Sequence, residues 1–251
     1  MHKGGVIQLS FMSFSNEPDG LEDFRYHHVR FKTTHPYSNH DTQAVPVTGK
    51  TMFETPFIAP FFRILSIVIL KLSGWRIEGT LPDAPKFVLI AAPHTSSWDG
   101  FYMLMVAFVF RVKMRWLGKH TLFRGPVGPL FQWLGGIPVN RSAPQNMVTQ
   151  VTDFIRKVDE IVLAVPPEGT RKRAQSLKTG FYYIALASNI PIVLGFLDYR
   201  NKITGVGQSL NPSGDFEADL NTIYEFYAPI TGKYKHQSCF STQESSDISL
   251  E

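Results

Sequence analysis

Cysteine is almost absent from this 251-residue sequence, where Cys239 stands alone. A single cysteine permits no internal disulfide, no CxxC pair and no two-cysteine metal site, and it fits a reducing compartment. Long runs of charge are missing too. The 25 Lys and Arg are dispersed with no run of five, which gives a nucleic-acid partner little support. There is no apolar run of the roughly 20 residues that a helical membrane crossing needs. A Gly-x-Ser-x-Gly elbow is absent, which argues against an ordinary serine hydrolase. No His-Glu-x-x-His or comparable spacing offers a metal its ligands.

What remains is a globular composition, with 43% hydrophobic and 18% charged residues and an unusually high 20 Phe. That length suffices for one α/β domain with a modest extension. The net charge of +4 and pI near 9.1 suit anionic lipid head groups, acidic carrier proteins or nucleic acid without choosing among them. Residues 1–50 are polar, with scattered histidines including His27 and His28 and no apolar central region. They read as an extension without fixed structure rather than a signal peptide. Within it, Ala44–Thr51 nearly spells a phosphate-binding loop, with Ala44 in place of the first glycine. The mechanism needs a buried strand before it and a helix after it, and the flanking residues, polar on one side and interrupted by Pro56 and Pro60 on the other, supply neither.

The segment 51–74 differs. Phe57–Leu72 is apolar for about sixteen residues, interrupted by Pro60 and Arg63. It is too short for a full crossing and reads as an interfacial or re-entrant helix, with an ordinary buried helix as the alternative. Residues 75–233 form the expected main domain. Phe87–Ala92, Ile161–Val165 and Ile192–Leu197 read as buried strands, Ile137–Val139 as a short strand and Thr222–Tyr227 as one more. Helices are expected over Ser97 to about Arg111, Ala143–Val158 and Ser176–Ser188; Ser142, Pro144 and Gln145 give the second a good start signal. Residues 234–251 are polar and read as a flexible tail. Buried strands alternating with helices argue for an α/β fold, a mixed and largely parallel sheet covered by helices.

Two charged motifs follow predicted strands. Pro93-His94 follows Phe87–Ala92, and Pro167-Glu168-Gly169-Thr170-Arg171 follows Ile161–Val165. Ligands of open α/β sheets sit beyond the carboxyl ends of strands, so the two motifs read as one site. In it, Asp99 can hold one ring nitrogen of His94 as a donor and leave the other as a base, able to take a proton from a substrate hydroxyl that attacks a carbonyl carbon. The competing reading is structural, because Ser96-Ser97-Trp98-Asp99 also spells a helix capping box. Arg171 can grip a phosphate bidentately, Lys172 and Arg173 add positive potential, and Gly169 permits a tight turn. Glu168 reads as a partner orienting an arginine. Arg141, after Gly135-Gly136-Ile137-Pro138-Val139, and Lys119 are further cations.

Taken together, His94–Asp99, Gly135–Arg141, Glu168–Arg171 and Ile190–Leu194 resemble the four ordered blocks of the glycerolipid acyltransferase family, which includes 1-acylglycerol-3-phosphate acyltransferase. Lys119 and Leu122 match its Lys-x-x-Leu segment, and the resemblance covers roughly residues 75–200. The fourth block departs from the pattern with Leu194-Gly195 where a second proline is usual, and the third is followed by the basic pair Lys172-Arg173. The resemblance implies His94 as general base and Asp99 as its orienting partner. It implies Lys119, Arg141, Glu168, Gly169, Thr170 and Arg171 around the acyl acceptor, with the three cations on its phosphate. It also implies acyl-carrier protein or acyl-coenzyme A as donor and no metal or tightly bound cofactor. The expected reaction is acyl transfer to a lysophospholipid at the cytoplasmic face of a membrane, with 1-acylglycerol-3-phosphate as the acceptor and phosphatidate as the product. The same chemistry on a lyso-ornithine lipid or lysophosphatidylglycerol, a thioesterase, and a non-catalytic lipid- or carrier-binding protein are the rivals. Phe101, Met105 and Phe108 are expected to line an acyl tunnel.

Overall fold

The computed structural model describes residues 7–13, 25–31, 49–139, 144–169 and 177–240. The chain divides into two units, Met1–Ala44 and Val45–Glu251. In the first, β1 (Ile7–Ser13) pairs antiparallel with β2 (Arg25–Phe31), setting Ile7 opposite Phe31 and Leu9 opposite Val29. The sequence reading gave this stretch no structure. The overlooked signal is the apolar residue at every second position, Ile7, Leu9 and Phe11, which is the period of a strand.

The second unit opens with α1 (Ile58–Leu72) and continues through β3 (Arg76–Glu78), β4 (Lys86–Ala92), α2 (Ser97–Val109), β5 (Met114–Lys119), α3 (Gly128–Trp133) and β6 (Gly136–Val139). Then come α4 (Pro144–Lys157), β7 (Ile161–Val165), α5 (Gly180–Ser188), β8 (Ile192–Asp198), β9 (Ile203–Leu210) and α6 (Phe216–Tyr227). Among the described residues the strands form one sheet in the order β3-β9-β8-β4-β7-β5-β6. The run from β8 to β6 is parallel throughout; β9 is antiparallel to β8, and β3 is parallel to β9. The sheet is therefore mixed and largely parallel.

Strand β4 lies at the centre, where the order of the strands reverses, and its side chains serve both faces. Val88, Ile90 and Ala92 join a core with residues of α4, α5 and α6, including Ile155, Ile184 and Tyr227. Phe87 and Leu89 point the other way, into a cluster with Ala107 of α2. A strand buried on both sides shows no polar alternation, which explains the unbroken apolar run. Helix α1 packs on α2 through Leu70, which joins Trp75, Met105, Val106 and Leu197.

Three readings change. Thr222–Tyr227 belongs to a helix: its β-branched and aromatic residues favour a strand, but Asp215 caps the helix start by accepting from the Ala218 amide. Ile223 and Tyr227, four apart, then fall on one buried face. The presumed tail is folded through residue 240, because Phe240 is buried against Tyr224 and Tyr227. The presumed tunnel residues separate: Phe101 is exposed, whereas Met105 and Phe108 are buried, Phe108 stacking on Phe62 of α1.

The outer strands approach each other closely at Gly205, where φ is 153° and an added Cβ would run into the Glu78 carbonyl of the paired strand. Gly205→Ala is expected to destabilise the protein by about 2 kcal/mol, read as a lowered urea midpoint at unchanged slope.

Candidate active site

The register of the sheet assembles the site. Ile90 of β4 is opposite Val165 of β7, and Ala92 of β4 is opposite Phe196 of β8. The three strands are parallel neighbours, so the residues that follow them emerge at one carboxyl edge. Strand β4 delivers His94 and Asp99, β7 delivers Glu168 and Gly169, and β8 delivers Tyr199.

After β4 the chain passes through a cis Ala92–Pro93 peptide and enters α2. Both halves of the Ser96–Asp99 capping box form. Asp99 Oδ2 accepts from the Thr95 and Ser96 amides at 2.7 Å each. The same oxygen lies 3.5 Å from His94 Nδ1. That distance is long for a hydrogen bond, as catalytic pairs without substrate often are. The cap and the histidine pair are thus not alternatives: one carboxylate does both jobs. With Asp99 on Nδ1, Nε2 is the nitrogen left for base chemistry.

Asp99 is 1% exposed, and its other oxygen, Oδ1, accepts from the Tyr199 hydroxyl at 2.7 Å. Burial alone would raise its carboxyl. Hydrogen bonds from His94, Tyr199 and the Ser96 and Thr95 amides outweigh burial and hold it below the ordinary carboxylate value. It is therefore ionised at neutral pH and suited to orient an imidazole.

Glu168 is also a structural partner of His94. It is 1% exposed and turned inward, with Oε2 accepting the His94 backbone N–H at 2.6 Å and Oε1 lying 3.9 Å from Cys239 Sγ. It holds the backbone of His94 in place. Burial raises its carboxyl to about 7, assisted by the charge of Asp99 and opposed by the His94 amide and ring. Burial and Glu168 in turn push the Cys239 thiol up to about 12, so this cysteine is an inert neutral thiol. Tyr227, fully buried below, donates to the Gly195 carbonyl at 2.8 Å and lies 3.2 Å from that of Ile90, linking β8 to β4 under the site.

Gly169 follows with φ 66°, a left-handed turn under the Lys178 side-chain stem. Lys119 is exposed at the carboxyl end of β5, two strands from β4. Arg141, Thr170 and Arg171 lie outside the described residues. The structure thus brings His94, Asp99 and Glu168 into contact, keeps Gly169 beside them and sets Lys119 farther along the same edge. Sequence reasoning passed over Tyr199 and Cys239. Neither sits in a local pattern, and Cys239 registered only as a lone cysteine.

A histidine oriented by a buried carboxylate, at the carboxyl edge of a largely parallel sheet, marks an α/β protein equipped to move a proton. Residues 75–193 match the family model described as Acyltransferase. Among solved structures, a 1-acyl-sn-glycerophosphate acyltransferase from Thermotoga maritima aligns with a TM-score of 0.48 and 15% identity, over 67% of this chain and 76% of that chain. No curated protein sequence matches the chain.

The Glu168 carboxyl supplies a test of its burial. Its folded value lies above the ordinary carboxylate value, so the folded state holds the proton more tightly than the unfolded state does. The associated stability is fully present below about 4.5 and is lost as pH rises toward 7. The loss is on the order of 3 kcal/mol. Glu168→Gln keeps an acceptor for the His94 amide and removes the titration. Denaturant unfolding across this window is expected to show a falling stability for the wild type and a flattened profile for the variant.

Proposed function

We propose that the protein transfers a fatty acyl chain from an acyl thioester, carried on acyl-carrier protein or coenzyme A, to the free hydroxyl of a lysophospholipid, with 1-acylglycerol-3-phosphate as the acceptor. The observation that carries this reading is the contact of His94 with Asp99 and Glu168 within an acyltransferase domain. Asp99 holds the imidazole so that Nε2 removes the proton from the acceptor hydroxyl. The hydroxyl oxygen attacks the thioester carbonyl, a tetrahedral oxyanion forms, and its collapse breaks the C–S bond and releases the thiolate. The proton taken by His94 returns to the leaving sulfur. The nucleophile comes from the substrate, so no covalent acyl-enzyme forms. Lys119, Arg141 and Arg171 supply cations for the acceptor phosphate, and Glu168, Gly169 and Thr170 help bind the acceptor. No tightly bound cofactor takes part.

The reading places the enzyme on a membrane surface, at its cytoplasmic face, through α1. No helix among the described residues is long and apolar enough to cross a membrane. The 15 residues of α1 make about 22 Å of helix against a hydrocarbon core of about 30 Å. Phe57, Phe61, Ile64, Val68 and Leu72 nevertheless form an exposed apolar stripe along it, while Ser66 and Leu70 face inward. A helix that anchors one face and bares the other suits the lipid interface, where the acceptor resides.

Purified protein in detergent or vesicles is expected to convert 1-acylglycerol-3-phosphate and an acyl thioester to phosphatidate, and His94→Ala to lower kcat by about 10³-fold or more. Wild-type turnover by that variant would sink the mechanism. Free fatty acid formed without an acceptor would instead indicate a thioesterase. Ile64→Glu combined with Val68→Glu is expected to lower vesicle binding in flotation by about tenfold or more. Unchanged partitioning would remove α1 from the membrane contact.

A further inference from the structure

Tyr199 lies a hundred residues from Asp99 in sequence and belongs to none of the motif blocks. Its hydroxyl donates to Asp99 Oδ1 at 2.7 Å, the oxygen that the capping amides and His94 leave open. We propose that Tyr199 is a positioning residue for the acyl transfer, holding the Asp99 carboxylate at the angle at which its other oxygen faces His94. The proposal rests on the reading of His94 as the base.

The geometry argues for a dedicated arrangement. A carboxylate with donors on Oδ2 alone can rotate about its Cβ–Cγ bond. A donor on Oδ1, approaching from a different strand, fixes that rotation. Tyr199 is itself anchored twice. Its amide donates to the Thr231 carbonyl at 2.9 Å. The adjacent Asp198 carboxylate accepts from the Arg200 amide and the Asn201 side chain, and lies 3.4 Å from the Thr231 amide, which closes the turn between β8 and β9. The phenol ring is wedged edge-on against Trp75 at 5.1 Å and Tyr102 at 6.1 Å. Those two rings belong to the cluster in which Leu70 of α1 meets Met105 and Val106 of α2. The hydroxyl is thereby placed by the sheet, by the loop after α6 and by the α1–α2 contact together.

Several charged or titratable groups bear on this carboxylate. His94 faces it from the loop after β4, Glu168 from the loop after β7, and Tyr199 from the end of β8. Tyr102 of α2 and Tyr234 of the C-terminal segment act on it through Tyr199. Among these neighbours Tyr199 is the side chain whose neutral O–H stabilises the ionised carboxylate without adding charge. Removing that hydroxyl favours the protonated form. Activity that depends on ionised Asp99 then fails at a higher pH than in the wild type.

The test is Tyr199→Phe, which keeps the ring and deletes the donor, compared with Tyr102→Phe, which deletes a hydroxyl from the same aromatic cluster. Loss of a hydrogen bond to a charged group predicts for Tyr199→Phe an about 10-fold lower kcat with KM for donor and acceptor within about twofold. The acidic limb of its pH–rate profile is expected to move to higher pH, while Tyr102→Phe leaves the limb in place. A second readout needs no turnover. Ring 15N shifts of His94 at neutral pH are expected to show the proton on Nδ1 in the wild type and a mixture of tautomers in Tyr199→Phe. A kcat and limb like those of the wild type would overturn the proposal. So would an equal limb shift in Tyr102→Phe, or an activity loss that follows lowered thermal stability with no change in limb or tautomer. If His94→Ala proved fully active, the catalytic reading would fall, while the tautomer measurement would still decide whether Tyr199 positions the Asp99–His94 pair.

Discussion

Asp99 is a charged side chain withdrawn from water, and such a group is tolerated only when its oxygens are satisfied. Two backbone amides, a tyrosine hydroxyl and the imidazole of His94 converge on it. Each of these partners is also a structural commitment. The amides start α2, the tyrosine follows directly on β8, and the histidine stands in the loop after β4. The carboxylate therefore joins the first turn of a helix to the ends of two neighbouring strands. Displacing it would disturb helix start, tyrosine and histidine together, because one residue serves both as cap and as the partner of His94.

Around this anchor the protein shifts two carboxyls in opposite directions. Asp99 is held ionised by its donors, whereas Glu168, equally buried but with fewer donors, is raised to about 7 by its surroundings. The contrast separates their work. The ionised group faces the imidazole ring, and the group that protonates more readily holds the backbone of the same histidine. Cys239 and Tyr227 enclose Glu168 with groups that stay neutral, which preserves the low polarity responsible for its raised value.

Packing links this centre to the exposed apolar helix. Helix α1 contacts α2 through Leu70, and that cluster continues through Trp75 and Tyr102 to Tyr199, whose hydroxyl ends on Asp99. The helix with the bare apolar stripe and the carboxylate beside His94 thus share one contiguous set of side chains.

Much of this was legible in local sequence. The apolar runs of β4, β7 and β8, the capping box at Ser96–Asp99 and the ordered blocks at His94, Arg141, Glu168 and Ile190 all depend on neighbours within a few residues, and that is the range over which propensity, capping and strand burial act. The same locality misled at Thr222–Tyr227, where strand-forming residues were overruled by an Asp215 cap and a helical burial face, and at 234–240, where polar residues conceal the burial of Phe240. Local pattern established that His94 and Asp99 stand at a strand end and a helix start. Tertiary structure decided that Glu168 turns inward to the His94 amide, that Cys239 lies against Glu168, and that Tyr199 reaches Asp99. Those contacts form between the ends of parallel strands paired by register, and register between strands so far apart in the chain leaves no mark on the local sequence of any one of them.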